Sequence, residues 1–118
     1  MGINSKKLIK IRIQLQDKLH VGPGKVLLLE KIDQTGSISK AAKNIGLSYR
    51  KAWRLIDELN NSSLKKLVNA KAGGKGIRGS QLTNEGKNFV KIYRKIESKL
   101  NALTLQEKKD LEKLFGDI

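Results

Sequence analysis

A chain of 118 residues, 38% of them hydrophobic, has room for one modest core, and no apolar run reaches the ~20 residues needed to cross a bilayer. Cysteine is absent, which excludes disulfides and thiolate metal sites, and Met1 to Lys7 lacks the apolar stretch of a secretory leader, so a cytoplasmic protein is expected. The 25 Lys and Arg residues outnumber 11 acids for a net charge of +14, a balance suited to a polyanion whose counterions are released on binding. That number leaves DNA, RNA and an anionic membrane open. Its distribution narrows the location: from Thr104 onward three bases meet four acids, so the residues before it carry the whole excess.

Leu8 to Leu15 alternates, with Ile9, Ile11, Ile13 and Leu15 on one side and Lys10, Arg12 and Gln14 on the other, the period of a half-buried strand. Gly22-Pro23-Gly24 breaks it, and Val26, Leu27, Leu29, Glu30 and Ile32 suit a helix entered through Pro23 and ended at Gly36. Ser37 then caps a short second helix whose Ile38, Ala41, Ala42 and Ile45 share a face. Gly46 fits the left-handed position after it, and Ser48 caps a third helix running to about Asn60.

Beyond Leu64 the pattern shortens to two strand-like pieces, Leu67 to Ala72 and Ser80 to Leu82, around a glycine-rich loop. A longer helix from about Asn84 carries the stripe Phe89, Ile92, Tyr93, Ile96, Leu100 and Leu103. Thr104-Leu105-Gln106-Glu107 has the form of a capping box opening a last helix with Leu111, Leu114 and Phe115. There is no internal repeat. The order predicts a mainly α fold with a small β-sheet: a winged helix-turn-helix in 1–83, with the helix-turn-helix at about 37–60 and the wing at about 64–83. Helices for dimerisation are expected in 84–118.

Two closely crossing helices need a small residue at the crossing, which Ala42 provides, and a turn residue that tolerates positive φ, which Gly46 provides four positions later. On the third helix, Ala52, Leu55, Ile56 and Leu59 cluster inward, while Arg50, Lys51 and Arg54 cluster outward in its N-terminal half. Asp57 and Glu58 follow a turn later. DNA-reading helices enter the major groove by their N-terminal part, so this order sets the cations deep and the acids clear of phosphate. Arginine offers guanine a bidentate fork, and three of the five arginines are Arg50, Arg54 and Arg78. Arg50 and Arg54 are therefore the expected base readers, with Ser48, Tyr49 and Lys51 as backbone or edge contacts and Ser37 at the second helix start among the DNA-binding residues. Tyr49 and Trp53 border the apolar side, where Trp53 is expected to pack.

Gly74, Gly76 and Gly79 satisfy G-x-G-x-x-G, but a dinucleotide site needs that loop to lead into a helix within a βαβ unit, and here a returning strand follows. The phosphate-loop pattern fails because Gly76 follows Lys75. A wing tip with Lys71, Lys75 and Arg78 near phosphates or in a narrow minor groove explains the same residues.

Gly36-Ser37-Ile38-Ser39-Lys40-Ala41-Ala42 followed by Gly46-Leu47-Ser48-Tyr49-Arg50-Lys51-Ala52-Trp53 resembles the N-terminal DNA-binding domain of ModE-type molybdate-responsive regulators. Gly22-Pro23-Gly24, Leu28-Leu29-Glu30, Gly73-Gly74-Lys75-Gly76 and Leu82-Thr83-Asn84-Glu85-Gly86 extend the resemblance. The Gly-Ser-Ile-Ser and Leu-Thr-x-x-Gly pieces also fit LysR-type regulators. The resemblance implies a winged-helix homodimer on a palindromic operator, dimerising through Phe89, Tyr93, Ile96, Leu100, Leu103, Leu111, Leu114 and Phe115, although Phe89 and Ile92 equally suit the domain's own core. ModE regulators sense molybdate with a further C-terminal β-rich domain, which this sequence lacks, so no molybdate site and no cofactor are expected. The sequence is either a stand-alone relative or a piece of a longer chain. Ile77-Arg78 also stands where the family tends to continue with glycine.

A sequence-specific regulator and an abundant architectural DNA coater both suit this composition, and a preference of ~10³-fold for one site separates them. An enzyme is not expected. The sole histidine, His20, reads as a turn or cap residue, and the acids lie scattered on predicted helix surfaces. RNA is disfavoured because no aromatic stacking platform accompanies the charge.

Overall fold

A computed structural model describes residues 8–62, 65–69 and 79–116. Its elements run β1 (Ile13–Leu15), β2 (Leu19–Val21), α1 (Pro23–Thr35), α2 (Ile38–Asn44), α3 (Tyr49–Ser62), β3 (Val68–Asn69), β4 (Gln81–Leu82), α4 (Asn84–Leu103) and α5 (Leu105–Phe115). Two small antiparallel sheets result, β1 with β2 and β3 with β4. The fold is mainly helical with a wing, as the sequence predicts.

Pro23 sits in the first turn of α1, where its missing N–H costs nothing, and Gly36 ends the helix at φ 71°, donating its N–H to Ile32 O. Val26, Leu28, Leu29 and Ile32 of α1 meet Ala41 and Ala42 of α2, Ala52, Ile56 and Leu59 of α3, and Leu67, Val68 and Leu82 of the wing in one core. Tyr93 of α4 is fully buried in the same core, with Phe89 and Val90 packed against it. The helix following the wing therefore shares the core of the helix-turn-helix.

The first strand departs from expectation. Its ladder is confined to Ile13–Leu15, and Leu15 is 51% exposed where an inward position was expected. Ahead of it, the backbone of Ile9 is held by Asn101, which accepts from Ile9 N at 2.9 Å and donates to Ile9 O at 3.1 Å. Tyr93 Oη donates to Ile11 O at 2.6 Å. The alternation is real, but α4 holds its Ile9 and Ile11 end and β2 pairs with its Ile13–Leu15 end. β2, absent from the expectation, follows a turn in which Gln16 and Asp17 take φ of 51° and 56°. His20 lies within β2, exposed, and is neither a turn nor a cap residue.

Arg94 holds α4 against α1 by donating to both oxygens of Glu30 at 2.8 and 2.6 Å, and it is braced within α4 by Glu97 at 2.8 Å. Hydrogen bonding to Glu30, opposed by burial and reinforced by Glu97, keeps the guanidinium above its ordinary pKa. Burial, with Glu97 nearby, pushes the Tyr93 phenol up as well, against the pull of Arg94.

Thr83 caps α4, its hydroxyl accepting from Gly86 N at 3.0 Å. The expected capping box at Thr104 does not form. The Thr104 hydroxyl donates to Leu100 O at 2.8 Å, closing the end of α4 before α5 begins one residue later. α5 buries none of its residues. With α4 extending beyond the core, the radius of gyration is 16.5 Å, above the roughly 13.5 Å of a compact chain this long.

Candidate nucleic-acid interface

The geometry starts at the end of α2. Leu47 N donates to Ala42 O at 2.9 Å and Gly46 N to Lys43 O at 3.3 Å, the paired bonds that end a helix through a left-handed residue. Gly46 takes that position at φ 74°. Ala42 and Ala52 are buried at the crossing of α2 and α3, where a larger side chain would force the helices apart. The Ser37 hydroxyl accepts from Lys40 N at 3.1 Å and that of Ser48 from Lys51 N at 3.0 Å, so both serines cap helices as predicted.

α3 then sorts its residues. Ala52, Ile56 and Leu59 are buried and Leu55 half-buried, while Ser48, Tyr49, Arg50, Lys51 and Arg54 are exposed. Among the described residues no carboxylate pairs with Arg50, Lys51 or Arg54. Glu58, which shares the outer side, is drawn to Lys25 at 3.4 Å. Trp53 packs against the core, and Tyr49, half exposed, meets it edge-on with ring centroids 6.1 Å apart.

Among the described residues, the side chain of Asn60 fastens the wing to α3. Asn60 Oδ1 accepts from Leu67 N at 2.9 Å and Val68 N at 3.1 Å, and Asn60 Nδ2 donates to Val68 O at 3.0 Å. Nothing local in the sequence marks this role. The returning strand is pinned at Gly79 and Ser80: Ser80 N donates to Gly36 O at 3.0 Å, and a Cβ on Gly79 would stand 2.1 Å from that oxygen. The last glycine of the G-x-G-x-x-G pattern thus serves a close backbone crossing rather than a nucleotide. Lys71, Lys75 and Arg78, expected at the wing tip, lie outside the described residues.

The residues expected at a dimer face divide. Tyr93 is a correction: at 0% exposure, with its hydroxyl bonded to Ile11 O, it is spent inside the chain. Phe89 is half-buried against the core and Leu100 is half-buried. Ile96, Leu103, Leu111, Leu114 and Phe115 are exposed, Leu103 and Leu114 by 75% and 73%. Ile92 and Leu105 are exposed with them. Among the described residues no cluster of His, Asp or Glu could hold a metal ion, and no helix is long and apolar enough to cross a membrane.

A three-helix unit with a capped, outward-facing cationic helix and a hairpin fastened to its flank defines the winged helix-turn-helix class. Residues 25–87, over half of the chain, match the family model described as bacterial regulatory helix-turn-helix protein, lysR family, and the chain belongs to that family. Its class is regulatory rather than enzymatic. The domain is homologous to the winged helix-turn-helix DNA-binding domain of ModE regulators. It is 40% identical over 85 residues to the transcriptional regulator ModE of Yersinia pestis and 41% identical over 85 residues to the DNA-binding transcriptional dual regulator ModE of Escherichia coli K12. Each alignment takes in 72% of this chain and 32% of the relative, so the chain spans about a third of the length of the curated relatives it matches. The fold is also that of the CbnR DNA-binding domain crystallised with DNA, at TM-score 0.59 and 18% identity over 75% of this chain and 95% of that one. The BenM DNA-binding domain on benA site 1 DNA gives 0.57 and 19% over 75% and 93%.

Proposed function

We propose that this chain is a sequence-specific regulator that binds double-stranded DNA as a homodimer, with the N-terminal half of α3 in the major groove. The observation that carries the reading is the sorting of charge on α3. Arg50, Lys51 and Arg54 project together from its first two turns with no described carboxylate paired to them, while Glu58 is occupied by Lys25. Arg50 and Arg54 are the base readers, and Ser48, Tyr49 and Lys51 contact backbone or base edges. Ser37, at the start of α2, and Lys71, Lys75 and Arg78 of the wing add phosphate contacts. The two solved structures of this fold hold DNA, and the Escherichia coli relative is a DNA-binding regulator, which supports the same partner. The exposed apolar residues of α4 and α5 supply the dimer contact, and a cytoplasmic location follows from the partner.

The net charge of +14 also suits an architectural coater without sequence preference. Substitution separates the two. Arg54→Ala is expected to weaken the best duplex by about 1–3 kcal/mol and unrelated duplexes far less, because a lost guanine fork is a loss of discrimination. Equal weakening on every duplex, measured by fluorescence anisotropy titration, would contradict base reading by Arg54.

A further inference from the structure

α3 has a hairpin along each flank. At about 100° per residue, Trp53, Ile56 and Asn60 form one edge, Lys51, Leu55, Glu58 and Ser62 the other, and Arg50, Arg54, Asp57 and Asn61 the strip between them. Asn60 fastens the β3–β4 wing to the first edge. β2 lies along the second. One groove there is shared by Arg12, His20, Lys25, Lys51 and Leu55, and the next by Lys18, His20, Lys25, Arg54, Asp57 and Glu58. Arg12 lies over Gly22, where a Cβ would be 3.5 Å from its Nε, and Lys18 closes the hairpin turn by donating its N–H to Leu15 O at 2.9 Å. Both side chains are exposed, and among the described residues no carboxylate pairs with either.

We propose that β1–β2 is a second wing, whose Arg12 and Lys18 bind backbone phosphates on the wall of the major groove opposite the β3–β4 wing. The proposal rests on the reading that α3 enters that groove. A helix about as wide as the groove faces a row of phosphates on both sides, and contacts to both rows fix its roll and depth. Of the two acids in the second groove, Glu58 is paired with Lys25 and Asp57 lies on the central strip, where Arg12 and Lys18 outreach it toward the groove wall. The left-handed pair Gln16 and Asp17 turns the chain so that Lys18 returns beside Arg54.

The test is the double variant Arg12→Gln/Lys18→Gln, two exposed changes whose fold is checked by thermal unfolding, against wild type and Arg54→Ala. Affinity for the best duplex is followed across salt concentration. The double variant is expected to lose at least about tenfold on every duplex, to flatten the salt slope by about 2 per protomer and so by roughly 4 for the dimer, and to keep the wild-type base preference. Phosphate-ethylation interference on wild type is expected to mark phosphates on both groove walls, and one wall is lost in the variant. An unchanged slope and unchanged interference would overturn the second wing while leaving the reading of α3 intact. Wild type failing to bind any duplex would overturn both. If the double variant does not fold, the wild-type interference pattern decides, and marks confined to one wall overturn the proposal.

Discussion

Arg94 sits between Glu30 and Glu97, the latter 3% exposed, and it joins α4 to α1 across 64 positions of sequence. Arg94→Met removes the cation those two carboxylates share, and a loss of about 2–4 kcal/mol is expected in urea unfolding; an unchanged midpoint would show that the packing of Tyr93 alone holds α4. Tyr93 itself titrates in a calculable direction. Burial raises its phenol above the ordinary value of about 10, so the folded state holds that proton more tightly. Its contribution is fully present below that pH and is lost as pH rises through the folded value. Tyr93→Phe is expected to be about 1 kcal/mol less stable near pH 8 and to lose less than wild type between about pH 8 and 11, read from urea midpoints. An equal alkaline loss in both proteins would place the titration elsewhere. At Gly79, where φ is 47° and a Cβ would meet Gly36 O at 2.1 Å, alanine is expected to cost about 2 kcal/mol or more by thermal unfolding. The legible residues were those with local consequences. Ala42, Gly46 and Ala52 announce a helix crossing within a dozen positions, and Ser37 and Ser48 announce helix starts. Arg94, Asn60 and Asn101 act on distant backbone or carboxylates, and no local pattern distinguishes them from surface residues.

The helices were legible as elements because each is periodic and has a recognisable start or stop: Pro23 and Gly36 for α1, Ser37 and Gly46 for α2, Ser48 for α3 and Thr83 for α4. The β1–β2 hairpin was not. Its turn places Gln16 and Asp17 in the left-handed region without a glycine, so the usual turn signal is missing, and the strands that flank it have three residues each. Replacing the pair with Asn-Gly, which prefers that geometry, is expected to stabilise the fold by about 0.5–1 kcal/mol in urea unfolding. A loss would mean that the side chains of Gln16 and Asp17 hold the turn. The pattern at Thr104 predicts a cap for α5, yet its hydroxyl turns back to Leu100 O. A single residue joins two helices there, and the end of α4 claims the hydroxyl first.

At the scale of the molecule, exposed apolar surface is concentrated on one pair of elements. Ile92, Ile96, Leu103, Leu111, Leu114 and Phe115 lie exposed along α4 and α5, among exposed lysines such as Lys91, Lys95 and Lys99. The apolar stripe read from the sequence mixes two surfaces, since a period of 3.6 cannot tell a core shared within the chain from one shared between chains. Tyr93 went to the first, while Leu103 is left exposed. Leu103→Glu/Leu114→Glu is expected to give a monomer by sedimentation equilibrium, with the thermal midpoint of the domain core retained; a dimer that persists would remove α4 and α5 from the contact. The most direct test of the central claim, that α3 reads DNA sequence, is selection of binding sites from a random duplex pool by the purified chain at near-physiological salt. Enrichment of a palindrome of two half-sites containing guanines, lost when Arg50 and Arg54 are replaced by alanine, is the expected result. Tight, salt-sensitive binding with no enriched sequence would contradict it and leave Arg50 and Arg54 as phosphate clamps on an architectural protein.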